Sequence, residues 1–189
     1  MAAKILVSLT ARSARFALFE RGIAVEERVA GQRRVRILGR GGDTANGGAN
    51  RFQNHVLAEK PTAITINFGM NDAGYGAFNP QLQKEFLEKT AAMLEMARKA
   101  GVRVALMSPN AVDRRVQERF VQYVETQKQF YAPLAELAEK NGAVFVDQYA
   151  ITRAAVEAME KVDPKAEKAK PYYDGFHTSP PGGLLMAHA

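Results

Sequence analysis

An aspartate and a histidine near the carboxyl end of the chain have a spacing suited to acid–base chemistry. The segment reads Asp174-Gly-Phe-His177 and is followed by Thr-Ser-Pro-Pro-Gly-Gly. An aspartate three residues before a histidine can fold back within one turn and accept a hydrogen bond from Nδ1, which leaves Nε2 free as a base. So short a pattern also arises by chance, so its interpretation depends on the residues that accompany it.

Two further segments carry groups that can bind an anion. Residues 39–48 include five glycines, whose exposed N–H groups could form an anion-binding nest, although neither a dinucleotide fingerprint nor a P-loop lysine is present. Residues 67–75 include two glycines and the pair Asn71-Asp72. The side-chain amide of Asn71 could donate to an anion, or the pair could form a turn that caps the next element.

The glycine-rich segment and the Asn71 segment each follow a short apolar run of strand length. Five such runs are rich in β-branched residues and apolar on both faces, as strands buried in a parallel sheet are. The predicted strands are Lys4–Val7, Val35–Leu38, Ala63–Phe68, Val102–Met107 and Ala143–Val146.

Helical periodicity occupies the longer intervals between these runs. Apolar residues recur at helical spacing over Gln81–Ala100, which Gly101 ends, and over Arg114–Lys140, where Pro133 is expected to kink or divide the helix. The alternation predicts one domain over residues 1–189, a three-layer α/β/α sandwich around a five-stranded parallel sheet. In such sheets ligands bind outside the carboxyl ends of the strands, where the candidate groups lie.

An anion nest, an amide donor and an oriented base are the parts of an acyl-transfer site other than its nucleophile. A serine directly after the first predicted strand would complete the set. Ser8 occupies that position, in Ile5-Leu6-Val7-Ser8-Leu9-Thr10. The spacing therefore predicts Ser8 as the candidate nucleophile.

These segments resemble the blocks of the SGNH (GDSL-type) hydrolases, a family of serine esterases and lipases with a flavodoxin-like fold. Gly41-Gly42-Asp43-Thr44 resembles the glycine block, and Phe68-Gly69-Met70-Asn71-Asp72 resembles the G-x-N-D block. The segment from Asp174 to His177 resembles the D-x-x-H block. The resemblance implies Gly42 and Asn71 as oxyanion donors, Asp174 as the orienting acid and His177 as the base. It also implies an ester hydrolase that needs neither a metal nor an organic cofactor.

The first block departs from the family pattern, which is Gly-Asp-Ser followed by an apolar residue and Ser or Thr. Here Leu6 and Val7 precede Ser8, so only Ser-Leu-Thr matches. Either Ser8 acts from an altered loop, or the nucleophile of a parent sequence is missing from an altered or truncated first segment. Weaker candidates for the nucleophile are Ser13, Thr44 and Ser108.

The substrate pocket is expected at the same edge of the sheet. Tyr75 and Phe78 follow the third predicted strand and Asn110 and Val112 follow the fourth, so these four residues are predicted to form its wall. The expected substrate is a small acyl ester, with an acetylated carbohydrate as one candidate. The alternative is an impaired relative that binds an ester or glycan without turnover.

Composition and charge narrow the remaining classes of function. The chain has no cysteine, which excludes a thiol nucleophile, a disulfide framework and a cysteine zinc site. The whole excess of the +6 net charge lies in residues 1–60, with eleven Lys or Arg against five Asp or Glu. A nucleic-acid-binding domain is a third hypothesis, but no aromatic residues interleave with the charge, so a solvated basic face is the preferred interpretation.

The first residues of the chain do not form a convincing signal peptide. After Lys4 only three apolar residues follow, fewer than the apolar region of a signal peptide, which needs at least about seven. No apolar run approaches a membrane span. A cytoplasmic location is the default expectation, with secretion open if the first segment is truncated. The oligomeric state is not predicted.

Overall fold

The computed structural model describes residues 23–29, 32–168 and 170–187. Ser8 and the predicted strand Lys4–Val7 lie outside these residues. The described residues form a five-stranded sheet in the order β2-β1-β3-β4-β5. Its strands are β1 (Ile23–Val29), β2 (Gln32–Ile37), β3 (Ala63–Ile66), β4 (Arg103–Met107) and β5 (Val144–Val146).

Strand direction corrects the prediction of a five-stranded parallel sheet. The neighbours β3, β4 and β5 are parallel, but β1 pairs antiparallel with both β2 and β3. Only two residues separate β1 from β2, and so short a connection can join only antiparallel strands. Because β1 is antiparallel to both neighbours, β2 runs in the same direction as β3. The carboxyl ends of β2, β3 and β4 therefore lie at one edge of the sheet.

Six α-helices accompany the sheet in the described residues. They are α1 (Ala45–Arg51), α2 (Pro80–Lys99), α3 (Phe120–Tyr131), α4 (Leu134–Lys140), α5 (Gln148–Val162) and α6 (Pro180–Ala187). The α2 helix confirms the periodicity of the sequence, and it begins where the Asn79 side chain accepts hydrogen bonds from the N–H groups of Gln81 and Leu82. A π-helical turn (Phe52–Val56) and a 3₁₀ turn (Leu57–Glu59) extend α1 towards β3.

The predicted helix over Arg114–Lys140 is divided at Pro133, as expected, but it begins later than predicted. Residues 114–119 form turns, and α3 begins at Phe120. The Asp113 carboxylate accepts hydrogen bonds from the backbone N–H and the guanidinium of Arg115, which in turn donates to the carbonyl of Asp163. These contacts hold the segment in a turn, so they override the helical periodicity of its sequence.

An apolar core in the described residues is formed between the sheet and its helices. Ile66 from β3 and Leu106 from β4 are buried with Phe86, Met93 and Leu94 from α2. The α2 helix packs against α1, α4 and β4, and α5 packs against α6. Close packing of this kind gives the loops that follow β2, β3 and β4 a rigid base.

Candidate active site

A cavity of about 330 Å³ lies at the carboxyl edge of the sheet. Four separate segments of the chain line it: the loops after β2, β3 and β4, and the loop between α5 and α6. Its lining includes Gly42 from the first of these, Asn71 from the second, Asn110 from the third and His177 from the fourth. Groups separated by as many as 135 residues in sequence thus face one space.

Asp174 and His177 form the expected side-chain pair. His177 Nδ1 lies 2.7 Å from Asp174 Oδ2, and Asp174 Oδ1 accepts a hydrogen bond of 2.9 Å from the His177 backbone N–H. Burial acts to raise the pKa of Asp174, but the hydrogen bonds from His177 outweigh it and the pKa lies below its usual value. An ionised carboxylate can only accept, so Nδ1 carries the proton and Nε2 is free as a base.

The loop that carries this pair is held by the loop after β4. The backbone N–H of Asp113 donates to the carbonyl of Gly175 at 2.7 Å, and Asn110 Nδ2 donates to the carbonyl of Phe176 at 3.1 Å. Gln117 Nε2 donates to the carbonyl of Asp174. Three consecutive carbonyls are therefore bound by one neighbouring loop, which defines the path of the backbone between Asp174 and His177.

The glycine-rich segment is divided between the cavity and a helix. Gly41 and Gly42 line the cavity, and Gly42 has a φ of 71°, a left-handed conformation that favours glycine. Gly47 and Gly48 instead belong to α1. A Cβ at Gly47 would lie 2.0 Å from Asp43 Oδ1, and a Cβ at Gly48 would lie 2.5 Å from Phe68 Cζ. These two glycines allow α1 to pack closely and are not part of an anion nest.

An ion pair holds the turn that follows Gly42. The Asp43 carboxylate lies 2.7 Å from an Arg51 guanidinium nitrogen, and both side chains are largely buried. Arg51 also donates to the carbonyl of Leu38, the residue directly after β2, at 2.7 Å. Thr44 caps the first turn of α1, its side chain accepting from the N–H of Gly47. The Gly42 N–H has no acceptor among the described residues, so it is available to a bound anion.

Asn71 lies next to this turn and is held at both ends of its side chain. Its Nδ2 donates to the carbonyl of Asp43 at 2.8 Å, and its Oδ1 accepts from the hydroxyl of Tyr75 at 2.8 Å. An amide nitrogen has two protons, and the second has no acceptor among the described residues. This N–H and the Gly42 N–H are therefore two unsatisfied donors in the lining of one cavity.

The neighbouring Asp72 is half-buried and does not line the cavity. Its Oδ1 accepts a hydrogen bond of 2.8 Å from the N–H of Ala45, at the start of α1, and its Oδ2 is buried with no partner among the described residues. Burial raises the pKa of Asp72 to about 6. Asp72 therefore links the β3 loop to α1, and ionising it carries a desolvation cost.

Two of the four residues that the sequence places in the pocket wall line this cavity. Tyr75 and Asn110 line the cavity, whereas Phe78 packs against the apolar core and is not part of the lining. Val112 is fully buried, and its N–H donates to the side chain of Gln127. Pro109 and Asn110 of the same loop do line the cavity, so a position after a strand does not by itself show which residues reach it. The sequence analysis missed the other lining residues, among them Arg40, Asn67, Phe68, Met70, Pro109 and Phe176.

Several of these lining residues could have been predicted from the sequence, because they stand next to a motif. Phe68 and Met70 stand beside Gly69 and Asn71, and Phe176 directly precedes His177. No pattern in the sequence indicated the hydrogen bonds from Asp113 and Gln117 to the segment after Tyr173, since they join positions 57 or more residues apart. Among the described residues, no cluster of three or more histidines and acidic residues could hold a metal ion, and no helix is long and apolar enough to cross a membrane.

Chemically, this arrangement combines an oriented imidazole with two free N–H donors. The donors can stabilise negative charge on an oxygen, and Nε2 can accept a proton from a nucleophile in the same space. The candidate nucleophile Ser8 lies outside the described residues. The cavity therefore holds an imidazole able to act as a base and two N–H groups able to bind an anion.

Known proteins share both the sequence pattern and the fold. The sequence pattern of the GDSL-like Lipase/Acylhydrolase family matches residues 8–183. No curated protein matches the chain significantly. A solved structure of a gut microbial diltiazem-metabolizing enzyme is 25% identical, with a TM-score of 0.68, over 78% of this chain and 36% of that one.

Two esterases share the fold at lower identity. An acetyl xylan esterase is 18% identical, with a TM-score of 0.64, over 79% of this chain and 75% of that one. A variant of an acetyl-xylooligosaccharide esterase from Geobacillus stearothermophilus is 20% identical, with a TM-score of 0.60, over 78% of this chain and 65% of that one. These likenesses establish the α/β SGNH hydrolase fold. Since the family pattern covers nearly the whole sequence, the chain belongs to the GDSL-like lipase/acylhydrolase family.

Proposed function

We propose that this chain is a serine esterase that hydrolyses a small acyl ester. The observation that carries the proposal is the shared cavity: His177, held by Asp174, lines the same 330 Å³ space as Gly42 and Asn71. The nucleophile is assigned to Ser8, where the match to the family pattern begins. The assigned triad is therefore Ser8, His177 and Asp174.

The reaction follows from the protonation states of these groups. His177 Nε2 accepts the proton of the Ser8 hydroxyl as Oγ attacks the ester carbonyl. The tetrahedral oxyanion is stabilised by the N–H groups of Ser8 and Gly42 and by the free N–H of Asn71. His177 then donates its proton to the leaving alcohol, and water repeats the sequence on the acyl-enzyme. Asp174 keeps the imidazole in the required tautomer throughout.

The size of the cavity and the related structures support a small acyl group. A cavity of about 330 Å³ lies at the lower end of the usual range for ligand sites. Tyr75 and Phe176 place aromatic surface beside the polar donors, an arrangement that suits the ring of a sugar. Two structures of the same fold are named as esterases of acetylated xylan or xylo-oligosaccharides. We therefore propose an acetylated carbohydrate as the substrate to test first.

A second candidate is a relative that binds an ester or glycan without turning it over. The observation that favours it is the first block, where Leu6 and Val7 replace the Gly-Asp of the family pattern. Glycine lowers the steric cost of the sharp turn that presents a nucleophile at the end of a strand. Without it, Ser8 could lie too far from His177 for proton transfer.

Covalent labelling distinguishes the two candidates. The protein is treated with a fluorophosphonate probe, and the labelled peptide is identified by mass spectrometry, with the Ser8→Ala variant as control. Hydrolysis of p-nitrophenyl acetate together with an adduct on Ser8 supports the esterase. Binding of an acetylated xylo-oligosaccharide without labelling or hydrolysis supports the impaired relative. An adduct on another serine would reject Ser8 as the nucleophile.

A further inference from the structure

The hydroxyl of Tyr75 lies 2.8 Å from Oδ1 of Asn71, the residue whose second amide N–H has no acceptor among the described residues. We propose that Tyr75 is a positioning residue that holds Asn71 as an oxyanion donor. The inference rests on the proposed function, because it assigns Asn71 that role. It adds a second role to the one expected of Tyr75 as part of the pocket wall.

The direction of these hydrogen bonds follows from the chemistry of the partners. The Asp43 backbone carbonyl can only accept, so the group that faces it at 2.8 Å must be Nδ2 of Asn71. Oδ1 therefore faces Tyr75, and the tyrosine hydroxyl must be the donor. The amide is thus fixed at two points, and its orientation does not depend on an arbitrary assignment of nitrogen and oxygen.

The tyrosine ring is itself held by aromatic neighbours. Its centroid lies 5.2 Å from that of Phe176, 5.3 Å from Tyr123 and 6.2 Å from Phe120. The guanidinium carbon of Arg119 lies 5.6 Å from the centroid of the Tyr75 ring. A ring packed in this way has little rotamer freedom, so its hydroxyl is presented to Asn71 with little entropic cost.

The backbone at Tyr75 has an unusual conformation that brings the side chain back towards Asn71. Its φ is 57°, in the left-handed region that a bulky residue rarely occupies. Such strain persists only where surrounding contacts determine the conformation. At Tyr75 these contacts are the aromatic packing and the hydrogen bond to Asn71, which lies four residues earlier in the chain.

The hydrogen bond from Tyr75 should also make the free N–H of Asn71 a stronger donor. Burial raises the pKa of Tyr75 to about 12, so the hydroxyl stays protonated across the working range of an esterase. Donation to an amide carbonyl draws electron density from its nitrogen, which makes the other N–H a better donor. Tyr75 therefore both orients Asn71 and polarises it towards an oxyanion.

A role in positioning and a role in the wall predict different kinetics. An oxyanion donor acts in the transition state, so loosening it lowers kcat and leaves KM nearly unchanged. A wall residue contacts the bound substrate, so altering it changes KM or the preference among substrates. The Tyr75→Phe substitution keeps the ring and removes only the hydroxyl, which makes it the informative change.

The first experiment compares Tyr75→Phe with a matched control. Tyr149→Phe also removes a tyrosine hydroxyl, one that donates to the Val124 carbonyl at 3.5 Å and does not line the cavity. On p-nitrophenyl acetate we expect kcat to fall about tenfold for Tyr75→Phe, the effect of one lost hydrogen bond, with KM within about twofold. Tyr149→Phe should keep the kcat of the unmodified chain. An unchanged kcat for Tyr75→Phe would overturn the inference.

A double-mutant cycle separates positioning from general packing. If Tyr75 acts through Asn71, removing its hydroxyl should have no further effect in an Asn71→Ala background. An equal fall in kcat in both backgrounds would overturn the inference, because the hydroxyl would then act by another route. Thermal unfolding of all four proteins verifies that each is folded at the assay temperature.

An NMR experiment tests the inference without an activity assay. In ¹⁵N-resolved NMR spectra, the two side-chain N–H resonances of Asn71 should be separate and sharp, and should shift or broaden in Tyr75→Phe but not in Tyr149→Phe. Unchanged Asn71 resonances in Tyr75→Phe would overturn the inference. If the unmodified chain hydrolyses no ester, the proposed function fails, and these resonances alone decide whether Tyr75 holds Asn71.

Discussion

The backbone N–H of Asp113 donates a hydrogen bond of 2.7 Å to the carbonyl oxygen of Gly175. This bond joins the loop after β4 to the segment between Asp174 and His177. The candidate base is therefore positioned by a loop that contributes neither the acid nor the base. The geometry of the pair should be sensitive to changes at Gly175.

Replacing Gly175 by alanine should lower both stability and activity. Gly175 has a φ of 98°, and a Cβ there would lie 2.7 Å from Phe120 Cε2. The left-handed conformation alone should cost about 1 kcal/mol, and the contact with Phe120 should add about 1–3 kcal/mol. Gly142→Ala is the matched control, because Gly142 has a φ of 66° with no atom within 4 Å. Urea denaturation and ester hydrolysis would measure both effects, and equal losses in the two variants would contradict the prediction.

Removal of the imidazole should abolish ester hydrolysis, whichever serine is the nucleophile. His177→Ala removes the proposed base, and Asp174→Asn should reduce kcat by about four orders of magnitude by allowing the wrong tautomer. His55→Ala is the control, since His55 is exposed in the π-helical turn after α1 and does not line this cavity. Steady-state rates on p-nitrophenyl acetate check this. Turnover unchanged by His177→Ala would exclude the proposed base.

Asp72 should make the stability of the protein depend on pH. Its pKa in the folded protein is raised to about 6 from an ordinary value of 3.8, so the folded state binds this proton more tightly than the unfolded state. The contribution of Asp72 to stability should therefore fall as pH rises from about 4 to about 6, by about 3 kcal/mol, and stay low above that range.

The Asp72→Asn variant isolates this contribution. The amide oxygen can still accept from the Ala45 N–H, but the side chain no longer ionises. We expect the variant to gain stability relative to the unmodified chain as pH rises from 4 to 7, measured as the free energy of unfolding in urea at each pH. A difference between the two proteins that is the same at both pH values would contradict the assignment.

Restoring the family pattern before Ser8 should raise turnover. Leu6→Gly with Val7→Asp supplies the residues that the first block lacks, and a displacement of about 1 Å at a nucleophile can change a rate about a hundredfold. Rates on p-nitrophenyl acetate should rise accordingly, and Ser8→Ala in the restored background should remove the gain. A restored protein that is folded but inert would show that Ser8 is not at the nucleophile position.

Local sequence pattern determined most of the regular structure around the site. The strands β3, β4 and β5 and the helix α2 were predicted to within a few residues, because β-branched apolar runs and a 3.6-residue period are properties of neighbouring positions. The motif that contains Asp174 and His177 and the one that contains Asn71 were also readable. Each is a short segment whose residues act together in one turn.

Contacts between distant residues decided the rest. The antiparallel direction of β1, the late start of α3 at Phe120 and the burial of Val112 depend on which segments meet in space. The sequence placed Tyr75 in the pocket wall, but only the fold revealed its hydrogen bond to Asn71. A local pattern carries propensity and periodicity, whereas a side chain's partner depends on how the loops pack. The sequence alone therefore identified the chemical groups, and the tertiary structure determined how they are held.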